Sequence, residues 1–249
     1  MAVSTLIRRA LAWALMLTAL CACVVQAEET PHGLRGFVRG GGYHYVAYGD
    51  FPQSAEGEVA PLVWRVLEVA EGQAYLLSEY VLEAHQVHHA WESYGDWLET
   101  DLYAYLNGDF LRAAFSEAEQ RALVQRVAPG TVFLPSQSDI ANAAYGFSGD
   151  ASRQGVATDY GVTSGLFVYR GGRQYSPYWT RTRDTKRQPG STRRTMGGGA
   201  LGYIRAIVAD LGYRPGVLLT LDAVDCVGGA GTLADPFRLV PGGAEGGTP

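Results

Sequence analysis

Apolar residues in this chain are spaced like strands at both ends and like helices in the middle. Tyr43-His44-Tyr45-Val46-Ala47-Tyr48 alternates and predicts a strand ended by Gly49-Asp50 and Pro52. Pro61–Val69 (PLVWRVLEV) is rich in β-branched and apolar residues. With Glu71-Gly72 as a turn and Ala74–Ser78 (AYLLS) as the return, it predicts a hairpin. Trp97, Leu98, Leu102, Tyr105 and Leu106 then recur at helical spacing, with Ser93 as the expected cap and Asn107-Gly108 as the stop. Ser116-Glu117-Ala118-Glu119 has the form of a capping box, in which hydroxyl and carboxylate each bond the other residue's N–H. It predicts a helix continuing through Leu123 and Val124. Thr131–Leu134 predicts a short strand. Ser136, followed by Asp139, opens a third short helix that turns Ile140 and Ala144 inward.

Phe147–Gly165, with its Gly, Ser and Asp, predicts a long loop of the kind that carries binding sites. Tyr178–Thr182 (YWTRT) predicts a strand. Arg183–Gly199 has no apolar period and predicts a basic, Gly-rich loop. Tyr203–Val208 (YIRAIV) and Val217–Leu221 (VLLTL) predict a closing hairpin through Asp210-Leu211-Gly212. Together these elements predict one α+β domain over residues 43–240, built of short antiparallel strands and hairpins with a few short helices in the middle. Residues 28–42 predict a flexible linker and 241–249 a flexible tail.

The first 27 residues follow another pattern. Arg8 and Arg9 precede an uncharged apolar run, Ala10–Leu20, and Val25-Gln26-Ala27 places small residues where a signal peptidase reads. That is the order of a secretory signal, with an apolar core too short to span a bilayer. Leu20-Cys21-Ala22-Cys23 also resembles a bacterial lipobox. In that reading Cys23 is lipidated and is the chain's one route to a membrane; Cys21 departs from the pattern. No later run approaches 18 uncharged apolar residues. Cleavage after Ala27 leaves 222 of the 249 residues, enough chain for a buried core. It also removes two arginines and moves the net charge from −5 to −7, an acidic balance that argues against general nucleic-acid binding. Cys21 and Cys23 leave with the signal, so Cys226 stands alone. An internal disulfide is then excluded, and stability rests on packing.

Several short motifs recur in a fixed order. Tyr48-Gly49-Asp50-Phe51-Pro52-Gln53 is followed by Trp64-Arg65-Val66-Leu67 and by Leu76-Leu77-Ser78-Glu79-Tyr80-Val81-Leu82. Tyr105-Leu106-Asn107, Phe110-Leu111, Ala114-Phe115-Ser116 and Phe133-Leu134-Pro135-Ser136 come next, then Tyr178-Trp179-Thr180-Arg181-Thr182 and Arg214-Pro215-Gly216-Val217. In order and spacing the set resembles the bacterial family called domain of unknown function 6273, over Tyr43–Leu221. The segment at Trp179 departs from that family's usual Trp-Leu-Arg-Ser-Pro, and the loop after it is unusually basic. A Trp-containing strand, a loop and a hairpin closing on Arg-Pro is similar to the C-type-lectin-like fold shared by formylglycine-generating enzymes, which implies that fold here by analogy. Gly231–Phe237 looks like an element found near the ends of bacterial surface proteins, which agrees with export.

The candidate chemistry is sparse. The calcium motifs of lectins, Glu-Pro-Asn and Trp-Asn-Asp, are absent, and one cysteine cannot supply the pair of the formylglycine-generating reaction. His85, His88 and His89 have helical metal-ligand spacing, but their segment lacks caps and reads as a solvated loop, so no metal and no cofactor is expected. Arg65 and Arg214 are expected to pin strand ends by bonding backbone carbonyls. The basic run is the best candidate for ligand binding. Arg181, Arg183, Lys186, Arg187 and Arg193, beside Trp179, could clasp a phosphate, sulfate or acidic glycan, with Phe147–Gly165 as the facing loop. The expected function is an exported, cell-envelope-associated, non-catalytic binding module whose partner is a glycan, an anionic ligand or an envelope protein. The alternatives are an envelope-polymer hydrolase with unidentified acid and base, and a structural scaffold. The intact mass of the protein recovered from an expressing bacterium tests the export expectation. A start at Glu28 identifies the secretory signal, a lipidated Cys23 identifies the lipobox, and a retained Met1 overturns both.

Overall fold

The computed structural model describes residues 31–90, 94–169, 173–186 and 188–243. Its first strands are β1 (Tyr45–Pro52), β2 (Val59–Ala70) and β3 (Gln73–Ser78). The β2–β3 hairpin forms as predicted. Glu71 and Gly72 both take positive φ, 52° and 71°, which matches the twist of the strands they join. Side chains then alternate between two cores. Ala74 and Leu76 join Trp64 and Val66 in one cluster, while Tyr75 and Leu77 join Leu67 and Phe133 in the other. Burial on both faces is why PLVWRVLEV is largely apolar rather than alternating. β1 continues past its expected stop at Gly49. There φ is +68°, the register with β2 shifts, and a Cβ would meet the Ala114 carbonyl at 2.5 Å.

The remaining strands are β4 (Tyr80–Val81), β5 (Leu123–Val124), β6 (Gly155–Ala157), β7 (Tyr175–Ser176), β8 (Tyr178–Asp184) and β9 (Ser191–Thr195), followed by β10 (Leu201–Arg205), β11 (Gly216–Thr220), β12 (Val224–Gly228) and β13 (Phe237–Pro241). Among the described residues they form a large sheet, in the order β12-β13-β1-β2-β3-β11-β5, and two small ones, β10-β9-β8 and β4-β6-β7. Together with a few short helices they make one α+β unit. The first and last strands are neighbours, since β13 runs parallel to β1.

Several expectations are corrected. Ser93 lies outside the described residues. Thr100 caps the helix Asp101–Tyr105, which does not stop at Asn107-Gly108 but passes through a π-turn at Leu106–Phe110 into Leu111–Ala114. Asn107 instead uses its amide sideways: Nδ2 donates to the Val132 carbonyl at 2.9 Å, and Oδ1 accepts from the N–H groups of Thr131 and Val132. Among residues 131–134, Phe133 makes a bridge with Gly216. The Ser116–Glu119 capping box forms, but its helix ends at Gln120. Leu123 and Val124 leave it to pair with β11 as β5, where Leu123 is buried. In the turn Asp139–Ala141 Ile140 is buried, but Ala144 is exposed rather than inward-facing.

The two expected loops are also ordered. Phe147–Gly165 holds the helix Asp150–Arg153, β6 and the helix Asp159–Thr163. Its polar residues act as caps: the Thr158 hydroxyl accepts from Gly161 N–H and donates to the Leu82 carbonyl. Arg183–Gly199 contains the end of β8 and all of β9. No hairpin joins residues 203–208 to 217–221, because β10 pairs with β9 while β11 lies between β3 and β5. The expected linker is packed from residue 31 on. Leu34 is fully buried, and Phe37 N–H donates to the Leu67 carbonyl. Residues 1–30, Cys23 among them, and 244–249 lie outside the described residues.

One junction positions everything between β3 and β11. The chain leaves β3 at Ser78-Glu79 and enters β11, the adjacent antiparallel strand, at Arg214-Pro215, having added only the short edge strand β5 to the large sheet in between. Ser78 N–H donates to the Pro215 carbonyl, and Arg214 Nε donates to the Ser78 carbonyl at 2.8 Å, the strand-pinning role expected of it. Arg65 does otherwise: its Nε and Nη2 form a fork on the Glu79 carboxylate at 2.8 and 2.9 Å. The fully buried Arg214 guanidinium approaches the same carboxylate to 3.9 Å. Losing one partner of a buried ion pair costs about 3–5 kcal/mol, because the other charge stays buried and uncompensated. Glu79→Gln is therefore expected to lower unfolding stability by about that amount in urea titrations. A loss below ~1 kcal/mol, the range of an exposed pair, would show that the charges do not hold the junction.

Candidate functional site

The basic run folds into a hairpin of β8, where Thr and Arg alternate, and β9, which reads Ser-Thr-Arg-Arg-Thr. Thr180 on β8 and Thr192 and Thr195 on β9 are fully buried, while Arg181, Arg183, Arg193 and Arg194 stay partly exposed. The buried side chains of β9 are thus hydroxyl-bearing rather than hydrocarbon. The Thr180 hydroxyl donates to the Arg193 carbonyl at 2.9 Å, and the hydroxyls of Tyr94 and Thr192 lie 2.5 Å apart.

Against this hairpin packs the turn at residues 136–141, held by Arg181 and Thr182. Arg181 Nη1 donates to the Leu134 carbonyl at 2.5 Å and pairs with Asp139 at 3.0 Å, and the Thr182 hydroxyl accepts from Gln137 N–H at 2.8 Å. Between turn and hairpin lies a cavity of about 410 Å³. One wall is Gln137, Ser138 and Ala141; the other is Thr182 to Lys186 together with Arg193. Its charges are Arg183, Lys186 and Arg193 against Asp184. The Asp184 carboxylate is buried, 3.3 Å from Arg193 Nε, and accepts from Lys186 N–H at 3.0 Å. One carboxylate therefore orients Arg193 and shapes the hairpin end, and the wall keeps a positive excess. Arg183 reaches across to donate to the Gly95 carbonyl at 3.0 Å, with its guanidinium 5.6 Å from the Tyr94 ring centre. Lys186 is exposed at the rim. Guanidinium forks beside an ammonium group suit a carboxylate, sulfate or phosphate.

Of the residues expected to bind, Arg183, Lys186 and Arg193 come together here. Arg187 lies outside the described residues. Arg181 stands behind the wall with its charge committed to Asp139. Trp179 is corrected to a core residue: it is fully buried, and its indole N–H donates to the His85 carbonyl at 2.7 Å. Phe147–Gly165 is not the facing wall. Residues 151–156 line a different cavity of about 380 Å³, with Arg65, Glu79, Tyr43 and Arg173. The two segments meet elsewhere, where Arg153 Nε donates to the Gly199 carbonyl. The wall at Gln137–Ala141 escaped the sequence reading. Its one visible signal was the Ser136/Asp139 pair, read as a helix start: each side chain accepts the other's backbone N–H at the short helix Asp139–Ala141, and Asp139 also takes Arg181.

Residues 71–221 match the model of a family described as domain of unknown function (DUF6273), which places the chain in that family. Comparisons with curated proteins and with solved structures give no match.

Proposed function

We propose, from the premise that the chain belongs to the domain of unknown function 6273 family, that its working part is an exported module of the cell envelope that binds an anionic group without catalysis. The observation that carries this proposal is the cleft in which Arg183, Lys186 and Arg193 outnumber Asp184, on a chain whose overall charge is −5. A local positive field on an acidic protein selects anionic ligands and discourages broad adhesion to polyanions. Asp184 lines the cavity with its carboxylate buried and engaged by Arg193, which favours binding over acid–base chemistry there. The ligand class is an acidic glycan or another carboxylate-, sulfate- or phosphate-bearing envelope molecule.

The export part of the proposal is supported by the signal-like order of the first 27 residues and by the lone Cys226 left after them. The finer C-type-lectin-like fold belongs to the same proposal. Its support is a resemblance of layout: first and last strands side by side, with the candidate surface carried by the irregular chain between β3 and β11.

An array of sulfated, phosphorylated and uronic-acid glycans, printed beside neutral ones, tests the cleft. The chain should be retained on acidic glycans and released by salt. Arg183→Glu combined with Lys186→Glu should weaken retention by about tenfold or more, since a hydrogen bond to a charged group contributes about 1.5–3 kcal/mol. Equal retention of variant and parent, or preference for neutral glycans, would rule the cleft out as the site.

A further inference from the structure

The histidines after β4 are brought together with a carboxylate that their spacing does not announce. His85 turns away: its Nδ1 lies 2.6 Å from the Gln86 carbonyl oxygen, and its ring stacks on Tyr105 at 4.7 Å. His88 and His89 face the start of the helix Asp101–Tyr105. Val87 fixes their position, because it is fully buried, its N–H donates to the Ala206 carbonyl at 2.8 Å, and its carbonyl accepts from Leu102 N–H at 3.1 Å. Asp101, just after the Thr100 cap, therefore lies against both imidazoles. Its Oδ2 accepts from His89 N–H at 2.7 Å and is 2.8 Å from His89 Nδ1, while its Oδ1 is 3.7 Å from His88 Nδ1. One ligand atom from each of the three residues lies within 4.8 Å of the others.

An ion pair alone accounts for His89 and Asp101. It does not account for His88. That ring's Nδ1 is buried and has no hydrogen-bond partner, although it points at a carboxylate. A buried polar nitrogen without a partner is costly, and Asp101 at 3.7 Å is too far to bond it directly. A metal ion between them would satisfy it. Zinc-class ions bind imidazole nitrogen and carboxylate oxygen at about 2.0–2.2 Å, which places ligand atoms roughly 3–3.6 Å apart in a tetrahedron. The His88–Asp101 separation is already near that spacing. His89, 70% exposed in its side chain, is at liberty to turn its ring.

We infer that His88, His89 and Asp101 form a binding site for a divalent transition-metal ion of the zinc class, with the remaining coordination left to water or ligand. Two imidazoles and one carboxylate favour zinc, cobalt or nickel over magnesium or calcium, which prefer all-oxygen sites. The site borders the basic cleft: the Tyr94 ring lies 5.6 Å from the His88 ring, and the Arg183 guanidinium lies 5.6 Å from Tyr94 on that ring's own account.

The test is titration of the metal-stripped chain with Co²⁺ and with Zn²⁺, followed by visible absorption and calorimetry. One equivalent of Co²⁺ should bind, with ligand-field bands of an imidazole–carboxylate site, and Zn²⁺ should displace it. His89→Ala, at an exposed ring where folding is undisturbed, and Asp101→Asn should each weaken binding by about a hundredfold. His85→Ala should leave it unchanged. Magnesium in millimolar excess should not compete. The inference is overturned by the lack of a saturable equivalent, by His89→Ala binding as tightly as the parent, or by equal loss in His85→Ala.

Discussion

The structure depends on a largely buried carboxylate that one guanidinium group grips and a second approaches. Glu79 stands where the chain leaves β3, Arg214 where it enters β11, and Arg65 on the neighbouring strand forks onto the carboxylate. An ion buried alone would be prohibitive; grouped in this way, the charges are tolerable only in one arrangement. That arrangement fixes the ends of β3 and β11 against each other. The long excursion from residue 80 to residue 213 therefore starts and finishes at one point.

This geometry gives the family match a physical meaning. The matched segment, residues 71–221, opens at the turn before β3 and closes just past the end of β11. It is thus a loop of structure anchored on two adjacent strands. β1, β2, β12 and β13 extend the sheet from the β3 side, and of the clamp residues Arg65 alone comes from that extension. Both candidate sites hang within the excursion. The basic cleft lies at the β8–β9 hairpin and the metal cluster at the segment between β4 and the helix Asp101–Tyr105, with Tyr94 touching His88 on one side and Arg183 on the other.

The sequence is legible wherever burial is apolar and partners are close in the chain. The β2–β3 hairpin follows from its alternation and from Glu71-Gly72, and the Ser116–Glu119 capping box follows from its spacing. It is least legible where polar residues are buried. β9 carries no apolar residue at all; its buried positions are Ser191, Thr192 and Thr195, so a search for hydrophobic period finds a loop. Thr192 and Thr195 were the overlooked strand signal, since threonine is β-branched. Phe147–Gly165 misled for the opposite reason, because its Ser, Thr and Asp residues cap short helices instead of marking loose chain. Three of the proposed binding residues come together because they share one hairpin, whereas the opposite wall, some 45 residues earlier, was hidden by that separation. Asp101 was hidden likewise: it is twelve residues beyond His89, and its place beside the imidazoles comes from the Val87–Leu102 hydrogen bond, not from periodicity.

Residue-resolved hydrogen exchange on Glu79→Gln, in native buffer, tests the central role of the clamp most directly. The account predicts that amides between residues 80 and 213 lose protection first, while the β1–β2 pair and the β2–β3 turn keep theirs. A uniform loss across all strands, or loss confined to the immediate neighbours of residue 79, would contradict it.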